Sequence, residues 1–276
     1  MPAAAAAVAL TGCGAGQAVS AIVDPVARAA DDTARVSGYR INATVNVTSA
    51  AGTFTASIAG TLDTASHTGS LTTHEVVAGR TIALTEKITG TVVYISTAGE
   101  PAFAPLSGGK PWLMLNEARE VSAFGPLPGE GSDPSQFVDY LRAVGARPTR
   151  VGTATVGGVA TTHYRAVIDL TRYPALVPAA RHAAAARAVS AIERLLGAHT
   201  LPVDVWIGAD RLVRRISIAI PECVDQQHLT MSMTMDLSDY GPQPPVQAPP
   251  AAQIRDVTQL VASSLKNAAP GCTASG

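Results

Sequence analysis

Gly38-Tyr39-Arg40-Ile41-Asn42-Ala43-Thr44-Val45-Asn46-Val47-Thr48 decides the fold. Ile41, Ala43, Val45 and Val47 alternate with Asn42, Thr44, Asn46 and Thr48. Successive side chains of a strand point to opposite faces, so this segment has one dry face and one wet face. The next segment repeats the pattern: Phe54, Ala56, Ile58 and Leu62 alternate with Thr53, Thr55, Ser57 and Thr61. Further strands are expected over 66–77, 80–89, 91–97 and 112–115, punctuated by Gly52, Gly69, Gly79, Gly90 and Gly99. Such spacing describes an antiparallel meander with a half-solvated sheet.

Outward from this meander the period changes. Val19, Ile22, Val23, Val26 and Ala30 recur at helical spacing over 17–36, with Pro25 as a kink or restart. Asp133, Pro134 and Gln136 write a helix start, followed by the stripe Phe137, Tyr140, Leu141, Val144 and a stop at Gly145. Strands return at 150–156 and 159–170 around Gly157-Gly158, a tight hairpin turn. An Ala-rich helix is expected over 173–198, then strands at 203–208, 212–220 and 227–237. The tail from Gly241 to Pro250 holds five prolines and is irregular, and a short helix is expected over 254–265. No βαβ alternation occurs, which excludes a doubly wound parallel sheet. The expected class is α+β: an antiparallel sheet with helices packed on one face.

The bulk composition narrows the function. The 276 residues carry a formal net charge of −1, and only 15% are charged. Neither nucleic acid nor an acidic surface is an expected partner. Three lysines against seventeen arginines, with abundant Ala, Gly and Thr, is the usage of a high-GC, actinobacterial genome.

Leu10-Thr11-Gly12-Cys13 follows the apolar run from Ala3 to Leu10. This resembles the bacterial lipobox, whose cysteine becomes a diacylglyceryl cysteine with palmitate-like chains and the mature N-terminus. The run is too short to span a bilayer and fits the core of a signal peptide. No Lys or Arg precedes it, so the true translation start is expected upstream. With Cys13 set apart, Cys223 and Cys272 remain as an even pair, which an oxidising compartment permits as a disulfide. Each buried CH₂ contributes about 0.8 kcal/mol, and two chains hold a protein stably on the membrane. The expected location is the extracytoplasmic face of the cytoplasmic membrane, anchored through Cys13.

Catalytic constellations are not evident. No G-x-S-x-G, P-loop, G-x-G-x-x-G or H-E-x-x-H pattern occurs, and the histidines lack metal-ligand spacing. His163 inside a strand reads as hydrogen-bonded scaffold, and Trp206 on the polar side of its strand as a structural plug. Arg214 and Arg215 read as solvated. Met231, Met233 and Met235, extended by Leu229 and Leu237, share one strand face and supply an adaptable apolar wall. The expectation is a non-enzyme with no cofactor, no metal and no catalytic residue.

Three segments carry a family resemblance. They are Gly157-Gly158-Val159-Ala160-Thr161-Thr162-His163-Tyr164-Arg165-Ala166-Val167-Ile168-Asp169-Leu170, then Leu201-Pro202-Val203-Asp204-Val205-Trp206-Ile207 with Arg214-Arg215-Ile216, and Gly109-Lys110-Pro111-Trp112-Leu113. With the lipobox they resemble, in order along the chain, the LolA-like actinobacterial lipoproteins that include the mycobacterial LppX, LprA, LprF and LprG group. The resemblance implies a strongly curved half-barrel sheet (LolA/LolB-like) with helices across its concave side. It also implies an apolar cavity for an acylated lipid or glycolipid, carried or chaperoned between membranes. A membrane transporter is the protein such a carrier would serve. The expected cavity wall is Ile41, Val45, Phe54, Ile58, Ile168, Val205, Ile216, Ile218, Met231 and Met233, with Leu141 and Ile192 from the covering helices. The division expected is 1–12 as signal-peptide remnant, 13–37 as tether and helix, 38–240 as the lipid-binding domain and 241–276 as a tail packed on it. The alternative is an envelope sensor or adaptor of the same fold that binds a partner protein.

Overall fold

The computed structural model describes residues 24–49, 52–77, 80–116, 135–196, 198–224 and 227–266. Helix α1 (Pro25–Ala34) leads into strands β1 (Gly38–Ser49), β2 (Gly52–Asp63), β3 (Thr68–Val77), β4 (Arg80–Thr89) and β5 (Val92–Ser96). A helical turn, α2 (Ala104–Ser107), precedes β6 (Trp112–Asn116). Next come α3 (Ser135–Tyr140), β7 (Thr149–Val156), β8 (Val159–Asp169), the turn α4 (Tyr173–Leu176) and α5 (His182–Leu196). Strands β9 (Thr200–Gly208), β10 (Val213–Val224) and β11 (Gln227–Ser238) follow, then β12 (Ile254–Asp256) and α6 (Thr258–Lys266).

All twelve strands belong to one open sheet in the order β12-β6-β5-β4-β3-β2-β1-β11-β10-β9-β8-β7. Strand β1, whose alternation decided the reading, lies near its middle. It pairs β2 on one side and β11 on the other. Closing this pair joins the N-terminal meander to the C-terminal strands, a contact no local pattern specifies. Every pairing between neighbours is antiparallel except the last, where Ile254–Asp256 runs parallel to Trp112–Met114. The sheet is therefore mixed at one edge.

The inner face follows from period two. Val45 faces Met233, and Ile218 faces the same methionine from the other side. Ala43 and Ile216 flank Met235 in the same way. Against this face pack Val26, Ala29 and Ala30 of α1, Phe137 and Val138 of α3, and Ala185, Val189 and Ile192 of α5. One hydrophobic cluster draws on β1–β5, on β8–β11 and on these helices. Twelve strands at about 4.8 Å spacing would make a flat sheet about 50 Å wide. Sheets this wide curl, and here the sheet bends round its helices. A smaller cluster of Leu113, Leu115 and Val257 sits under β6 and α6.

The caps and breaks are chemical. Asp24 accepts hydrogen bonds from the Val26 and Ala27 amides at 2.8 and 3.1 Å, and Pro25 takes the first helical position. Pro25 thus starts α1; residues 17–23 of the expected helix lie outside the described residues, as do Asp133 and Pro134. Gly157 and Gly158 both have positive φ (55° and 81°), the type I′ pair that a two-residue hairpin needs. The single helix expected over 173–198 is instead broken. Pro178 has no N–H and forces Val177 into extended backbone (ψ 162°), so α4 ends and α5 begins at His182. The helix expected over 254–265 loses its first turn to β12, because the free edge of β6 takes those residues as a strand.

Candidate lipid cavity

The sheet and helices leave a half-open cavity of about 560 Å³. It lies where the β2–β3 and β4–β5 turns approach α3, α4 and α5. Its apolar wall is Tyr39, Leu62, Ile88, Val138 and Val177, with Ala184, Ala185 and Ala188 on α5. Its polar rim is Asp63, Thr64, His67, Thr68, Thr91, Asp139, Arg142 and Arg181. The alanines matter because they place a helix beside the cavity without filling it.

The two turns at the rim are fixed to each other. The Gly90 amide donates to the His67 carbonyl at 2.7 Å, and the Thr64 amide to Ser37 at 3.0 Å. Asp63 folds back on its own turn, accepting from the Ser66 amide at 2.8 Å and its hydroxyl at 3.0 Å. These bonds, led by the Ser66 amide, lower the Asp63 pKa. On the helix side Arg142 lies 2.9 Å from Asp31 and 3.6 Å from Asp139. Tyr140 and Tyr173 stack edge to face at 4.6 Å between centroids. Burial pushes the Tyr173 phenol up to about 12 and raises Tyr140 as well. Both stay protonated at neutral pH and are not activated bases.

The twelve residues expected at the cavity wall do not line this one. Ile41, Val45, Ile58, Leu141, Ile168, Ile192, Val205, Ile216, Ile218, Met231 and Met233 are buried in the main hydrophobic cluster, and Phe54 packs partly buried against it. They share that cluster with Tyr39, Leu62, Ile88, Val138 and Val177 of the wall, and differ only in not reaching the cavity. Sequence alternation assigns residues to the inner face but does not say which part of that face stays uncovered. Tyr39, Leu62 and Ile88 are on the same face, nearer the turns. The Ala184, Ala185 and Ala188 group was present in the Ala-rich helix, but small residues carry no signal of their own.

Cys13 and Cys272 lie outside the described residues, and only the backbone of Cys223 is described, within β10. Among the described residues no group of three His, Cys, Asp or Glu could hold a metal ion. No helix among them is long and apolar enough to cross a membrane.

The outer face of the sheet carries a separate polar ladder. His163 stacks on Trp206 at 4.2 Å and 6°, and its Nε2 lies 2.7 Å from the Asp204 carboxylate. Arg215 makes two hydrogen bonds to Asp236 at 2.5 and 2.7 Å and lies over the Trp206 ring. Arg214 pairs with Asp210 and lies over the Tyr240 ring. His163 and Trp206 are thus scaffold on the wet face. Arg214 and Arg215, expected to be solvated, are each held by a carboxylate and a ring.

An open sheet that wraps helices around a half-open cavity defines the class of architecture. No family model matches the chain, and no curated protein matches it. Among solved structures it is similar to LprF from Mycobacterium bovis, at 16% identity over 82% of this chain and 95% of that one, with a TM-score of 0.45. It is also similar to the Mycobacterium tuberculosis lipoprotein LppX, at 14% identity over 81% and 96%, with a TM-score of 0.47. A putative outer membrane lipoprotein-sorting protein domain from Vibrio parahaemolyticus aligns at 10% identity over 81% and 91%, with a TM-score of 0.30.

Proposed function

We propose that the protein is an extracytoplasmic lipoprotein that carries or chaperones an acylated lipid or glycolipid. The observation that supports this reading is the cavity of about 560 Å³, with an apolar wall of Leu62, Ile88, Val138 and Val177 and a polar rim. A pocket of a few hundred Å³ with apolar walls and a few polar groups is the usual form of a small-molecule site. Moving an acyl chain through water costs about 0.8 kcal/mol per methylene, so a carrier needs apolar area rather than a reacting group.

Cys13 is the lipidation site on this reading, holding the protein on the cytoplasmic membrane, and Cys223 pairs with Cys272. The domain is 38–240, with the tail fastened to it. Supporting that division, Lys110 Nζ donates to the Ala252 carbonyl at 2.6 Å, and the Gly241 amide to Gly38 at 2.9 Å. The twelve core residues named from the sequence are a second layer that a larger ligand would have to part. A membrane transporter is the partner such a carrier would serve.

Purified full chain, extracted with organic solvent and analysed by mass spectrometry, is expected to release lipid. Protein that carries no lipid and takes up no fluorescent lipid analogue would sink the reading. Expressed with its native leader, Cys13→Ser is expected to move the protein from the membrane to the soluble fraction. Unchanged membrane retention would remove Cys13 as the anchor.

A further inference from the structure

The cavity has a size and a charge that define its cargo more narrowly. Resting on the lipid-carrier reading above, we propose that it takes a single-chain amphiphile with an anionic headgroup, the tail against Leu62, Ile88 and Val177 and the head at Arg181.

Size gives the number of chains. An apolar protein cavity of 150 Å³ takes up benzene, six carbon atoms. On that scale the cavity of about 560 Å³ holds on the order of twenty carbon atoms. This is one long acyl chain with a small head. Two or three chains would have to displace the packed layer behind the wall, which includes Ile41 and Ile58.

Charge accounting gives the head. Four charged side chains stand at the rim: Asp63, Asp139, Arg142 and Arg181. Asp63 is turned into its own hairpin by Ser66. Arg142 is set between Asp31 and Asp139. Arg181 makes no ion pair among the described residues and is exposed at the entrance. Its charge reaches the cavity, because it offsets part of the effect of burial on the Tyr173 phenol. An arginine fork is suited to a phosphate or a carboxylate. The shared chemistry is thus a long alkyl chain ending in an anion, met as a lysophospholipid or as a free fatty acid. Small residues on α5 keep the route from Arg181 to the wall open: Ala184 and Ala188 lie one turn apart on it, with Ala185 beside them.

The test is binding of defined lipids to delipidated full chain, below their micellar concentrations, read by native mass spectrometry and by displacement of a fluorescent fatty acid. The probes are lysophosphatidylglycerol, palmitate, lysophosphatidylcholine and a two-chain phosphatidylglycerol. One lysophosphatidylglycerol or palmitate per chain is expected, each bound about tenfold tighter than lysophosphatidylcholine. Arg181→Gln, an exposed change that leaves the core intact, is expected to abolish that preference, with a smaller loss for lysophosphatidylcholine, whose phosphate is already offset by its own choline. Whichever anionic probe shows the larger loss identifies phosphate or carboxylate as the head. Equal or tighter binding of the two-chain lipid would overturn the single-chain inference while leaving a lipid carrier. A preference that survives Arg181→Gln would overturn the assignment of the head. Failure of every probe, including the two-chain lipid, would bring down the carrier reading itself.

Discussion

Glu86 is an acidic side chain that the period-two pattern places on the inner face, as it does Glu75 on the neighbouring strand. It lies on β4 between Leu84 and Ile88, on the inner face, opposite Leu71 and Ile95. Only 9% of it is exposed. Burial pushes its carboxyl from an ordinary 4.5 up to about 7, the charge of Glu75 adds to this, and a hydrogen bond with Thr73 opposes it. The folded chain therefore holds this proton more tightly than the unfolded chain. The resulting stability is fully present below pH 4.5 and is lost as pH rises through about 7. A gap of this size corresponds to about 3 kcal/mol. Urea denaturation from pH 5 to pH 8 should show wild type losing about 2–3 kcal/mol more than Glu86→Gln. Equal slopes for the two proteins would show that Glu86 is not the source. At this scale the sequence was legible for side-chain facing and illegible for charge state. The position of Glu86 in the alternation could be counted, but the degree of its burial depends on strands β3 and β5 closing over it. The same limit applies to Arg214 and Arg215, whose carboxylate partners Asp210 and Asp236 sit four and twenty-one residues away.

Among the elements, the strands read well because their signal is local and repeated. The observed bounds of β1, β4, β7 and β8 fall within a few residues of those expected from alternation and turn glycines. The helices read less well because backbone chemistry interrupts their apolar stripe, as Pro178 does between α4 and α5. The docking of α1 was not legible, since it depends on an irregularity in β10. The pairing of β9 with β10 shifts register between Val213 and Arg215. The Val213 amide donates instead to the hydroxyl of Thr33, at 3.0 Å and fully buried on α1. The Val213 carbonyl accepts from the Tyr240 hydroxyl. A bulge in the ladder is thereby satisfied by a helix on one side and the C-terminal segment on the other. Thr33→Val keeps the shape of the side chain but leaves a buried amide without its partner. It should destabilise the protein by about 1–3 kcal/mol. Hydrogen exchange should quicken first in α1 and at Val213. A uniform loss of protection across the sheet, with no preference for α1, would contradict this role for Thr33.

For the whole molecule, the class of architecture was legible and the place of the cavity was not. Alternation in β1, β2, β10 and β11 specifies a dry face, and amphipathic helices specify what covers it. How a twelve-stranded sheet curls over three helices of unequal length fixes where cover runs out, and no single segment encodes that. The cover fails near the β2–β3 and β4–β5 turns, where α5 presents alanines. Tyr39, Leu62 and Ile88 line the cavity at that end, although each is buried in the main hydrophobic cluster. On the proposed reading, a lipid that fills the cavity binds the folded chain and has no site on the unfolded one. At a hundredfold excess over the dissociation constant such a ligand stabilises by about 2.7 kcal/mol. For a domain of this size that is a rise of about 5–10 °C in Tm. Lysophosphatidylglycerol, added to delipidated protein below its micellar concentration, is expected to give this rise in a thermal melt. Ala188→Trp, which puts an indole into the cavity from a half-exposed position, is expected to melt near wild type without lipid and to lose the lipid-induced rise. If the tryptophan variant responds to the lipid as wild type does, the ligand sits elsewhere and the space beside α5 is only a packing gap.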